Sequence, residues 1–263
     1  MANDGSEAAS GTAEAGTPRD TAEPATETPD IETASDDYAT RFQGRAGRYF
    51  LDAQAAAIQT VLDGFKGHTV LDVGGGHGQL TDLLLESGYD VTILSSDQSC
   101  YERFRRVHPG ASVRQDVGDL LGLPYPDRAF DLVVSVRLLS HIERWPHLLA
   151  ELARVARRSV VVDYPSKWSL NALTPLLFVL KKRIEGNTRT YTSFTARDLE
   201  RVLAEHGFRP AGISKQFFLP MFIHRALDAN AAARGAEAVA RAARFTHLLG
   251  SPVILRADRV AQG

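Results

Sequence analysis

The sequence predicts an α/β protein: a seven-stranded, mostly parallel sheet with helices on both faces. Three observations carry that expectation. Short apolar, β-branched runs alternate with segments of helical periodicity along the 263 residues. Three glycines follow the first of those runs at once, where a buried strand must turn tightly into a helix. No internal repeat divides the chain, so one domain accounts for its body.

The elements follow in order. Leu51, Ala55, Ile58, Leu62 and Phe65 recur at helical spacing over 51–65. The run His68 to Val73 reads as a buried strand that ends against Gly74, Gly75 and Gly76. A helix is expected over 79–87, closed by Gly88 in the C′ position. Residues 90–94 form the second strand, 98–107 the second helix of the sheet unit, and 111–117 the third strand. Residues 130–136 form the fourth strand. Trp145, Leu148, Leu149, Leu152, Val155 and Ala156 then mark a helix over 144–157. The fifth strand is 159–163. Thr195 caps a helix with Asp198 in its first turn and an end near Gly207. Strands at 208–219 and 251–257 flank an alanine-rich helix and complete the seven.

Composition narrows the class. No run approaches the roughly 18 apolar residues of a membrane-spanning helix. The single cysteine, Cys100, excludes a disulfide framework and a multi-cysteine zinc site, and no metal is expected. The start lacks the basic and apolar regions of a secretory signal, so the expected compartment is the cytoplasm. The net charge of −2 averages two unlike parts. Residues 1–37 hold ten acids against one base and almost no large aliphatics, and are expected to be a disordered acidic tail. Residues 38–263 hold 22 acids against 29 bases, a net of +7 that is too modest for a nucleic-acid groove.

The stretch from Val70 to Leu80 carries the chemistry. Gly74, Gly76 and Gly78 let a ligand approach the backbone without a Cβ in the way. The helix that follows offers N–H groups suited to an anion. A nucleotide P-loop needs Gly-Lys-Ser/Thr, and here Gln79 and Leu80 follow Gly78. A dinucleotide fingerprint needs glycine where Gln79 stands. What remains is Asp-x-Gly-x-Gly-x-Gly, starting at Asp72.

This pattern resembles motif I of the class I S-adenosylmethionine-dependent methyltransferases, in their small-molecule branch of the ubiquinone/menaquinone (type 11) kind. The run Leu123-Pro-Tyr-Pro-Asp-Arg-Ala-Phe-Asp-Leu-Val133 is similar to the family's LPFPDxSFDxV. Leu139-Ser-His-Ile142 and Glu151-Leu-Ala-Arg-Val155 follow at the family's distances, so the resemblance covers roughly residues 68–165. It implies a Rossmann-like fold, S-adenosylmethionine as cofactor, and methyl transfer to a small, hydrophobic acceptor, with oxygen favoured over carbon or nitrogen. The rival readings are a non-catalytic cofactor-binding domain and an NAD(P)-dependent oxidoreductase.

The same resemblance implies site residues. Asp72, Val73 and the backbone of Gly74, Gly75, Gly76 and Gly78 would hold the amino acid end of the cofactor. At the ribose the family's acid falls on Ser95, a departure; Asp97, two residues on, is favoured over Ser95. Asp116 would meet the adenine amino group beside the Val117 N–H, with Asp119 as competitor. Ser135, Val136 and Arg137 would lie by the methionine portion, with the Arg137 head turned to acceptor or solvent. His141 is the candidate general base, ahead of Tyr164, His224 and Tyr49. Tyr38, Arg45 or Tyr49 would close over the cofactor. An insertion at about 168–193, with apolar residues followed by Lys181-Lys-Arg183, is expected as a lid or as a peripheral membrane contact through 170–183. The segment after the fourth strand lacks the Asn/Asp-Pro-Pro-Tyr/Phe turn of nucleic-acid methyltransferases, so nucleic acid is not the expected acceptor.

Overall fold

The computed structural model describes residues 26–170 and 192–260. Seven strands form one sheet: β1 (Thr69–Val73), β2 (Asp90–Ser95), β3 (Arg114–Val117), β4 (Phe130–Ser135), β5 (Ala156–Tyr164), β6 (Phe208–Phe217) and β7 (Ser251–Arg259). Their order is β3-β2-β1-β4-β5-β7-β6, and β7 alone runs antiparallel to its neighbours. Strand order reverses between β1 and β4. In an open α/β sheet the crevice beyond the carboxyl ends at such a reversal is where ligands bind.

Alternation along the strands fills both faces. Leu71, Val73, Val133 and Val162 pack with Leu148, Leu149, Leu152, Leu199 and Leu203 on one side. Val70, Val91, Leu132 and Val161 pack with Ile58, Leu84, Tyr101 and Phe104 on the other. The first layer is covered by α6 (Trp145–Val155) and α7 (Ala196–Glu205), and the second by α3 (Gly44–Leu62), α4 (Thr81–Glu86) and α5 (Cys100–Val107). Thr195 caps α7 as its sequence foretold: its hydroxyl accepts from the Asp198 N–H, and the Asp198 carboxylate accepts from the Thr195 N–H at 2.8 Å. The alanine-rich region before β7 is three short helices, α8 (Met221–Ala226), α9 (Ala231–Ala242) and α10 (Phe245–Leu249).

Two boundaries move for physical reasons. Helix α3 starts at Gly44, seven residues before the expected 51, because Ala46 and Phe50 bury an apolar stripe that the polar Arg45, Arg48 and Tyr49 obscure in the sequence. Strand β3 shortens to Arg114–Val117, the only part of 111–117 that pairs with β2.

The expectation of a disordered tail through residue 37 is corrected from residue 26 onward. Helices α1 (Asp30–Thr33) and α2 (Asp36–Thr40) form a strap along the carboxyl edge of the sheet. Its acids have specific partners. Glu27 accepts from the N–H groups of Glu143 and Arg144, Asp30 binds Ser96, and Asp36 pairs with Arg103 and Arg106. Tyr38 and Phe42 are buried with Phe50 and Phe217. Residues 1–25 lie outside the described residues, as does 171–191, which holds most of the expected lid and membrane contact. Among the described residues no helix is long and apolar enough to cross a membrane.

Phe42 ties the strap to the domain, so Phe42→Ala is expected to lower stability by about 3 kcal/mol in urea unfolding. It should also speed amide exchange at Ser96, whose N–H is held by the strap. Exchange at Ser96 matching the wild type would show that the strap does not depend on this contact.

Candidate active site

The site begins with the turn after β1. Gly74 lies in the left-handed region at φ +76°, and its N–H donates to the Leu94 carbonyl at 2.8 Å, tying the ends of β1 and β2. Residues Gly75–His77 form one 3-10 turn, and Gly78 returns to the left-handed region at φ +71°. A Cβ on Gly75 would lie 2.2 Å from the Asp72 carboxylate, and one on Gly76 would lie 2.8 Å from Ser95 Oγ and from Cys100 Cβ. Glycine is therefore a steric requirement at 75 and 76 and a conformational one at 74 and 78. The Ser135 hydroxyl, at the end of β4, donates to the Val73 carbonyl at 3.1 Å. Asp72, Val73, Gly74, Gly75, Gly76, Gly78, Ser95 and Ser135 thus meet at one point, on the strand reversal.

Asp72 is the unusual group there. It is buried, and neither carboxylate oxygen has a hydrogen-bond partner among the described residues. Burial alone raises its pKa from 3.8 to about 7. Beside it His77 is buried and neutral. Burial, then the Arg137 and Arg103 charges, push its pKa down to about 3, and Nδ1 accepts from the Gln79 N–H at 3.1 Å. At the end of β5, Asp163 is also buried, and burial raises its pKa against the pull of Arg137. Three perturbed groups on one sheet edge mark a candidate functional site.

Arg137 departs from the expected orientation. Its N–H donates to Asp163 at 2.6 Å, its guanidinium donates twice to the Gln54 amide oxygen of α3, and it lies 3.9 Å over the Phe42 ring. The head is clamped between α3 and the strap because a planar cation gains from both the amide and the aromatic face. Its φ of +63°, rare for a side-chain-bearing residue, fits the strain found at such edges.

The family model for the methyltransferase domain matches residues 71–162, which run from β1 into β5 and include this turn. Residues 71–162 are thus similar to a methyltransferase domain. Ajmaline N-methyltransferase of Rauvolfia serpentina is 34% identical over 103 residues, 37% of this chain and 35% of that one. The chain therefore matches only about a third of that relative's length. Among solved structures, the magnesium protoporphyrin IX methyltransferase of Synechocystis PCC 6803, with bound SAH, superposes with a TM-score of 0.56 at 18% identity, covering 82% and 86% of the two chains. The cyclase SpnF superposes at 0.51 and 23% identity, covering 80% of each. These likenesses establish the fold, and the cyclase shows that the fold alone does not fix the reaction.

The same Synechocystis enzyme also superposes as its complex with SAM, at a TM-score of 0.54 and 16% identity. The residues present fit the amino acid end of S-adenosylmethionine. The orphaned Asp72 carboxylate needs a cationic donor, which an ammonium supplies, and the glycine turn sets its backbone against that carboxylate with no Cβ between them.

The remaining expected residues are spread more widely. Asp97 is exposed, and one of its oxygens accepts from the Ser99 N–H at 2.8 Å at the start of α5. The Asp116 carboxylate is held by Arg114 at 2.9 Å and by the Tyr125 hydroxyl at 2.8 Å. Asp119, exposed in the same loop, caps the Leu121 N–H with one oxygen. Val117 is exposed beside them. His141 is half-buried in a 3-10 turn, Leu139–His141, just past β4. Tyr164 is corrected to a core residue, packed edge-on against Phe194. His224 is fully buried and bonded to Glu237 at 3.0 Å, with Tyr49, Phe50 and Phe217 around it.

Asp72 sets a pH dependence. The unfolded chain loses this proton near pH 4 and the folded one near pH 7, so the fold binds more protons between those values. Stability contributed by Asp72 therefore falls as pH rises through that window. Asp72→Asn should melt higher than wild type at pH 8, and the gap should narrow through pH 5 and close near pH 4. Equal melting at both pH values would mean that the carboxylate is not desolvated as described.

Proposed function

We propose that the protein transfers a methyl group from S-adenosylmethionine to a small, hydrophobic acceptor, with an oxygen as the favoured nucleophile. The observation that carries the reading is the buried, partnerless Asp72 beneath a glycine turn at the strand reversal. A sulfonium methyl is electrophilic without help, so the protein's task is to bind, align and exclude water.

In this reading Asp72 holds the ammonium of the cofactor, and the Gly74–Gly78 backbone lies along its amino acid end. At the adenine, Asp119 is favoured over Asp116, because Arg114 and Tyr125 already hold the Asp116 carboxylate. His77 contributes shape without charge, which suits a site that must accept a sulfonium. The clamp of Gln54, Arg137 and Asp163 braces the ends of β4 and β5. The aromatic group of Tyr49, Phe50 and Phe217 follows from there along the carboxyl edge and supports an apolar acceptor. His141, in the turn after β4, takes the acceptor hydroxyl's proton as transfer proceeds.

Titration calorimetry should show one S-adenosylmethionine bound per chain. Gly76→Val, whose branched side chain would collide with Ser95 and Cys100, should abolish that binding. Intact affinity in the variant would place the cofactor elsewhere. With an acceptor in hand, His141→Ala should reduce kcat by about 100-fold while leaving cofactor affinity unchanged. Parallel losses in both would remove histidine from the proton-accepting role.

A further inference from the structure

In folds where a glycine turn follows the first strand, the ribose of the ligand meets an acid at the end of the second strand, about 20 residues on. Here that place holds Ser95, which has no charge. The nearby Asp97 is exposed and engaged at the start of α5. Yet a carboxylate does stand at the end of β2, brought by the strap. Asp30 is completely buried. Its Oδ2 accepts from the Ser96 N–H at 2.7 Å, and its Oδ1 accepts from the Ser96 hydroxyl at 2.5 Å. The Cys100 thiol lies 3.6 Å from Oδ2, and the Cβ of the same residue flanks the missing Cβ of Gly76. The strap's first helix rests on the Gly75–His77 turn itself.

We propose that Asp30 is the ribose-binding acid of this protein, supplied by the N-terminal strap in place of the residue that β2 lacks. The inference rests on S-adenosylmethionine being the ligand of the glycine turn. A carboxylate offers about four lone-pair sites. The two Ser96 donors take one site on each oxygen and the weak thiol donor a second on Oδ2, so Oδ1 keeps a site and Oδ2 regains one when a stronger donor displaces the thiol. A buried carboxylate is costly unless its remaining sites are met by donors, and a vicinal diol presents two O–H groups at the spacing of two carboxylate oxygens. Ser96, with its two donors, acts as a positioning residue that fixes the carboxylate plane. The site is thus shared between the methyltransferase domain and a segment that lies before it in the chain.

The test compares two ligands, S-adenosylhomocysteine and its 2′,3′-dideoxy analogue, on full-length wild type and Asp30→Asn. Asn keeps the size of the side chain and loses the charge. The expected result is a loss of about 10- to 100-fold for S-adenosylhomocysteine on substitution, with little change for the analogue, which has no diol to lose. Equal losses for both ligands would make Asp30 an anchor of the strap and overturn the proposal, as would no loss. Tighter binding by the variant would overturn it too, by showing that Asp30 competes with the ligand. Should Asp30→Asn fail to fold, Asp30→Glu keeps the charge, displaces it by one methylene, and is expected to show the same diol-dependent loss in smaller measure. If wild type binds neither ligand, the cofactor assignment falls first, and that outcome is separate from all the others.

Discussion

A carboxylate held out of water with nothing to bond to is the constraint around which this structure is arranged. Asp72 is set on β1 by the parallel register with β2 and β4, and it points into the space that Gly75 leaves by having no side chain. Burial of that kind works against folding. It is sustained by two apolar layers that hold β1 at the sheet centre, and by the Leu94 and Ser135 contacts that pin the strand ends on either side. The glycines, the neutral His77 and the clamped Arg137 are all consequences of one need. The fold keeps a carboxylate dry beneath a turn that sets no side chain above it.

Charge in the N-terminal region has a second meaning in this light. Taken as composition, the acids at 27, 30 and 36 belong to a solvated tail. Taken as contacts, each sits on a different part of the carboxyl edge: one beyond β4, one at the end of β2 and one on α5. The exposed Asp36 pairs contribute little, as surface ion pairs generally do. The buried Asp30 and the aromatic pair Tyr38 and Phe42 do the fastening.

The fold was largely legible in the sequence, because strand and helix periods switch cleanly from 68 to 163 and the glycine run marks the strand reversal. The heart of the site was legible for the same reason: Asp72, the four glycines, Ser95 and Ser135 are adjacent in sequence or end on neighbouring strands. What escaped depended on distance along the chain. Nothing near residue 30 says that its carboxylate will meet Ser96, 66 positions away. A signal existed in the recurrence of Ala34, Tyr38 and Phe42 at four-residue spacing, but averaging over 1–37 hid it. The Arg137 clamp escaped likewise, since Gln54 lies on a helix face that reads as polar and solvated. His77 drew no reading from the sequence, because only its burial near Arg103 and Arg137 lowers its pKa.

The direction in which the two ends leave the domain follows from the antiparallel β7. That strand finishes at Arg259, paired with Phe208 at the start of β6, so the C terminus departs from the edge of the sheet opposite the glycine turn. The N-terminal strap instead begins at the carboxyl edge, where Glu27 holds the segment beyond β4. Glu27 and Arg259, near the two ends of the described chain, thus stand at opposite edges of the sheet.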